Sequence, residues 1–135
     1  MTPDELTAHI ITRLGYTDAH MVYDGNVPDK VPTFPGSTII RPYIVIWTMP
    51  QREGPEQDLA YTHQTDTSDV TVTVAAASVD TVRSIAQASI GLLHRQSTPG
   101  GGELRHMPPH VPIQWDETVT PGRYFIPLSF RHHQP

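Results

Sequence analysis

The stretch Val70-Thr71-Val72-Thr73-Val74-Ala75-Ala76-Ala77-Ser78-Val79-Asp80-Thr81-Val82-Arg83 contains the change of period on which the fold turns. Through Val74 the apolar residues recur at every second position, the signature of a strand with one buried face. Beyond Ser78 the recurrence lengthens: Val82, Ile85, Ala86, Ile90 and Leu93 make one stripe of a 3.6-residue period. Ser78 has the residue type of an N-cap, Asp80 lies in the first turn where the helix dipole favours a negative charge, and His94 and Arg95 suit the C-terminal end. A strand therefore feeds directly into a helix.

Upstream, Tyr43-Ile44-Val45-Ile46-Trp47-Thr48 is a near-continuous β-branched and aromatic run, which predicts a central strand covered on both sides, with Trp47 in the core. A shorter strand is expected at His20 to Tyr23, ended by Asp24-Gly25. The N-terminus carries helix signals in order: Thr2 as N-cap, Pro3 at the first helical position and Glu5 completing a capping box. Leu6, Ile10, Ile11 and Leu14 form its stripe, Met1 and Leu6 its staple, and Gly15 its stop, so a helix spans about residues 3 to 14.

Downstream, Thr98-Pro99-Gly100-Gly101-Gly102 is expected to be a flexible turn before a strand at Glu103 to Met107. In the last strand Tyr124, Ile126, Leu128 and Phe130 face one way, and Pro127 on the other side predicts an edge position or a bulge. The polar segment Gln51 to Asp69 is expected to project as an arm, with Tyr61 and His63 in weak alternation. The order α, β, β, β, α, β, β gives one α+β domain over residues 1–135. It comprises a mostly antiparallel sheet of four to five strands, two helices packed on it, and long proline-rich loops at 25 to 42 and 108 to 122.

Composition narrows the function. Nine basic and 14 acidic residues give a net charge of −5, and Lys30 is the single lysine, which argues against affinity for nucleic acid driven by phosphate neutralisation. There is no cysteine, so Cys nucleophiles and Cys-ligated zinc are excluded. No run approaches the roughly 18 apolar residues of a membrane span. The acidic start Met1-Thr2-Pro3-Asp4-Glu5 is unlike a signal peptide, so a soluble, unprocessed protein without membrane contact is expected.

The eight histidines do not make a metal motif. Pro108 and Pro109 separate His106 from His110, His-Glu-x-x-His is absent, and the reading is of solvated or hydrogen-bonding rings with no metal and no cofactor. The triple glycine lacks the Lys-Ser/Thr of a phosphate loop, and no serine sits in a nucleophile elbow. No catalytic residues are assigned. Trp115, between Gln114 and Asp116 in a proline-rich loop, is a candidate contact for another chain, because interfaces are enriched in Trp, Tyr and Arg. Phe34 has the same standing in the 25 to 42 loop.

Taken together, the chain resembles the tail terminator proteins of long-tailed, non-contractile bacteriophages. The resemblance is carried by the capped N-terminal helix, Tyr23-Asp24-Gly25 and its proline-rich loop, Pro42-Tyr43-Ile44-Val45-Ile46, the Val70–Val74 strand entering the Ser78 helix, Asp116, and Pro121-Gly122-Arg123-Tyr124 before the last strand. It implies a non-enzymatic virion protein, assembled in the host cytoplasm and located at the head-tail junction. It further implies a homohexameric ring on the completed tail tube that stops polymerisation and meets the head-completion (neck) proteins, while DNA passes the lumen without tight binding. Phe34, Tyr61, His63, Trp115 and Arg123 are the candidate subunit or partner contacts. Two alternatives stay open at this stage: another connector or adaptor of the phage neck, a class usually richer in helix, and a His-dependent metalloenzyme.

Overall fold

Strand β4 (Asp66–Ala76) is the spine around which the chain is organised. One of its edges holds β2 (Tyr43–Thr48), with Tyr43 opposite Ala75 and Thr48 opposite Val70, and beyond it the two-residue β3 (Arg52–Glu53) against Thr67 and Asp66. Its other edge pairs along its full length with β7 (Arg123–Gln134). The outer side of β7 in turn carries β6 (Gln114–Asp116) at one end and β5 (Glu103–His106) at the other. β1 (Met21–Asp24) pairs with the far side of β2 and is the one parallel pairing among the described residues. The computed structural model describes residues 2–15, 21–25, 32–50, 52–53, 66–99, 101–107, 111–118 and 122–134.

The α+β class and the mostly antiparallel sheet agree with the sequence reading, but among the described residues the sheet has seven strands rather than four or five. Two of the extra ones, β3 and β6, are too short to leave a periodic trace. Tyr43 to Thr48 lies inside the sheet, though the middle position belongs to β4. The arm is corrected in part: Asp66 to Asp69 do not project but extend β4 against Arg131 to Gln134, and Arg52–Glu53 pairs back onto that extension. The rest of the expected arm, with Tyr61 and His63, lies outside the described residues, as do His20 and the Met1 half of the staple.

Both helices pack on one face. α1 (Pro3–Leu14) brings Leu6, Ile10 and Leu14, and α2 (Val79–Leu93) brings Val82, Ala86 and Leu93, onto Ile44, Ile46, Val70, Val72, Val74, Leu128 and Phe130. Thr2 accepts the Glu5 amide at 3.2 Å and Ser78 accepts that of Thr81 at 3.3 Å, the two N-caps expected from sequence. Arg13 does not serve its own helix: its Nε donates to the Leu92 carbonyl at 3.1 Å and satisfies the end of α2, whose last turn has no basic residue. Gly15 ends α1 with helical φ of −63°, so it is not a left-handed cap. A Cβ there would sit 3.1 Å from the Ile11 carbonyl.

Pro127 shows how a proline is accommodated inside a sheet. The Ser129 carbonyl accepts from the Met107 amide, so odd-numbered residues of β7 direct their backbone polar groups away from β4. Pro127 therefore points its missing donor into the interval between β6, which ends opposite Phe125, and β5, which begins opposite Phe130. The proline occupies a local edge on an interior strand.

Candidate functional site

The sheet face opposite the helices has an apolar middle between two charged ends. Ile40, Tyr43, Val45 and Ala75 are buried there, with Tyr23, Trp47 and Phe125 packed against them. Trp47 is thus a half-buried member of this smaller cluster and lies outside the main core. A cavity of about 120 Å³ is lined by Tyr43, Val45, Trp47, Thr73, Ala75, Arg123 and Phe125. Tyr23 meets Tyr43 edge-on, centroids 6.1 Å apart, and burial pushes the Tyr43 hydroxyl pKa up.

Arg123 organises one end of this face. Its Nε and Nη2 lie 3.0 and 2.9 Å from Asp116 Oδ2, and its Nη1 donates to the Tyr43 hydroxyl. Asp116 Oδ1 accepts from the Thr118 hydroxyl at 2.6 Å and the Thr118 amide at 2.9 Å. Those two donors, followed by Arg123, hold the Asp116 pKa below the ordinary carboxylate value. At the other end Asp69 pairs with Arg131 at 3.0 Å directly across the β4–β7 ladder, and Glu103 with Arg105 at 3.2 Å.

Trp115 belongs to β6 and not to a loop, a correction to the sequence reading. It lies opposite Tyr124, its ring tilted 57° at 4.7 Å, and its other neighbour is Gly122, where any Cβ would overlap the indole. Despite these contacts it is 52% exposed.

Phe34 stands on a tight turn: Thr33 bridges Ile40, the Phe34 amide donates to Ile39 at 3.1 Å, and Gly36 takes φ of +69°. The turn exposes Phe34 (45%) beside Ile39 (57%). With Ile40, Arg41 and Pro42 they form one wall of a groove of about 730 Å³, whose other wall is Ala77, Ser78 and Thr81 at the start of α2. Sequence reading missed Ile39 because it adjoins the buried Ile40 in an apolar pair that does not show which one turns outward. Phe34, Trp115 and Arg123 are therefore not brought together: the first is at the groove, the other two at β6 and β7.

The described histidines have local structural neighbours. His132, 1% exposed, shares a 2.7 Å hydrogen bond with the Thr98 hydroxyl, His133 Nδ1 lies 3.3 Å from the Thr67 hydroxyl, and His94 Nδ1 accepts the His106 amide at 3.0 Å. The glycine turn is specified by this packing. Gly101 has φ of +91°, the Thr98 amide donates to Gly102 at 2.8 Å, and a Cβ on Gly102 would overlap the His132 ring and lie 2.7 Å from the His133 carbonyl. The turn is thus a hydrogen-bonded seat for His132, where the sequence suggested only a pliable connection. Among the described residues there is no group of three or more His, Asp or Glu placed to hold a metal ion, and no helix is long and apolar enough to cross a membrane.

No protein-family model matches the sequence, and no curated protein matches it. Among solved structures, the fold is similar to that of a chain in the virion of a native gene transfer agent particle. The match has a TM-score of 0.50 and 20% identity, over 93% of this chain and 84% of that one.

Proposed function

We propose that this chain is a structural protein of a phage-like virion that acts as a tail terminator: a homohexameric ring seated on the end of the tail tube. The ring halts addition of tube subunits and presents its outer surface to the head-completion proteins of the neck. The observation that carries this reading is the fold shared along nearly the whole chain with a chain of a gene transfer agent virion. It agrees with the resemblance borne by the sequence itself.

Physical features support the reading. A closed ring needs two different patches per subunit that meet head to tail, and two of the exposed apolar sites among the described residues, the Phe34–Ile39 turn and Trp115, are candidates for them. The hydrogen-bonding roles of the His94, His132 and His133 rings and the structural roles of Asp69 and Asp116 fit a protein whose polar groups hold architecture and perform no chemistry. A charge of −5 per copy suits a lumen through which DNA slides without being held.

Particles assembled without this protein test the role. Tails of uncontrolled length, left unjoined to heads, are expected. Tails of normal length joined to heads would overturn the reading.

A further inference from the structure

We infer that Trp115 of one subunit seats in the Phe34–Ile39 groove of the next copy, with Glu117 reaching Arg41 across the contact; the inference rests on the ring reading above and names the surfaces that would close it.

The two patches sit at the same end of the sheet but at opposite lateral positions. Tyr43, Ala75, Phe125 and Gln114 lie in one cross-strand row, so the groove beside Pro42 and the indole on β6 are separated by three strand spacings, about 14 Å at roughly 4.8 Å each. The indole is held against Gly122 and Tyr124 and does not reach the groove of its own chain. A projecting group on one margin and a receiving concavity towards the other is the arrangement a head-to-tail contact requires, whereas a two-fold contact would need one patch to match itself.

The groove is lined by apolar Phe34, Ile39 and Pro42, and its volume of about 730 Å³ accommodates an indole together with the side chains beside it. Charge complements shape. Arg41 lines the groove, and Glu117 is exposed two residues beyond Trp115; neither side chain has an ion-pair partner among the described residues. Opposite charges at the margin of a buried aromatic fix its orientation and disfavour other pairings.

The absence of native cysteine makes disulfide trapping unambiguous. In the double variant Arg41→Cys/Glu117→Cys the two positions flank β2 and β6, three strand spacings or roughly 14 Å apart within one chain, beyond the roughly 7 Å Cα separation a disulfide allows, so every bond formed joins two copies. Under mild oxidation the double variant is expected to give a covalent ladder reaching six copies, while each single variant gives none. As a second arm, Arg41→Glu and Glu117→Arg are each expected to weaken self-association at least tenfold, and their combination to restore it.

Two results would overturn the inference: an assembled wild-type protein whose double variant does not cross-link and whose charge reversals leave association unchanged, or a Glu117→Cys single variant that cross-links to itself. In the first case copies assemble through other surfaces and the ring reading stands. A wild-type chain that stays monomeric at every concentration, and on tail tubes, would remove both.

Discussion

Arg123 and Asp116 face each other across the β6–β7 ladder, and both guanidinium nitrogens that reach the carboxylate converge on its Oδ2 at 3.0 and 2.9 Å. Their side chains are only 18% and 15% exposed, so the pair is shielded, and Arg123 links β6 to the Tyr43 hydroxyl. Arg123→Ala should cost about 2 kcal/mol of stability, the scale of a hydrogen bond to a charged group, with Asp116→Asn costing less because Thr118 still has an acceptor. Chemical denaturation of the two variants, with hydrogen exchange at residues 114–116, measures both effects. Unchanged stability together with unchanged protection of β6 would contradict the anchoring role.

His132 makes stability depend on mildly acidic pH. Burial lowers its pKa in the folded chain below the ordinary histidine value. The unfolded chain therefore binds the proton more readily, so stability is fully present above about pH 6.5 and declines as pH falls from there towards the folded-state pKa. Thermal denaturation between pH 5 and 8, on the order of one histidine titration, should show this decline in the wild type and a flatter profile in His132→Asn. Parallel profiles would contradict the assignment.

Phe34 and Trp115 should separate assembly from folding. Both are half exposed within the subunit, so Phe34→Ala should leave the thermal midpoint of the isolated chain nearly unchanged, and Trp115→Ala, which also loses its contact with Tyr124, should lower it by no more than a few degrees. Each should cost more than about 2 kcal/mol in self-association, the level that distinguishes an interface anchor. Met49→Ala, equally exposed at 48% but at the opposite end of β2, is the control expected to be silent. Sedimentation of the three variants at matched concentration gives the comparison, and equal association by all three would remove both anchors.

The assembled protein should not hold duplex DNA. Each basic group that neutralises a phosphate adds salt-sensitive affinity, and the chain has nine basic residues, of which Arg83, Arg105, Arg123 and Arg131 are paired with acidic side chains. A gel-shift titration at low salt should show no retention at micromolar protein. Micromolar binding that weakens steeply with added salt would reveal a basic surface.

The parts legible in the sequence were those in which periodicity and end signals agree. α1 begins and ends where its capping box and stripe place it, and Tyr43–Thr48 coincides with its apolar run. The extension of β4 was hidden because Asp66-Thr67-Ser68-Asp69 has the composition of a turn. Thr67, between β3 and β7, and Ser68, opposite His132, are nevertheless buried, and Arg131 opposite Asp69 compensates its charge. β6 was hidden by brevity, since three residues between prolines show no alternation. Its signal lay elsewhere, in opposite charges at Asp116 and Arg123 flanking Pro121-Gly122. The exposure of Phe34 and Trp115 followed from large aromatics set among prolines. Ile39 gave no such signal, because only the backbone of the Thr33–Ile40 turn determines that it faces outward.

The mass of the native particle, measured for the protein alone and after mixing with tail tube protein, tests the central claim most directly. A closed ring predicts six protomer masses, in the free protein or on the tube. A monomer under both conditions, or a dimer that does not grow, would contradict it.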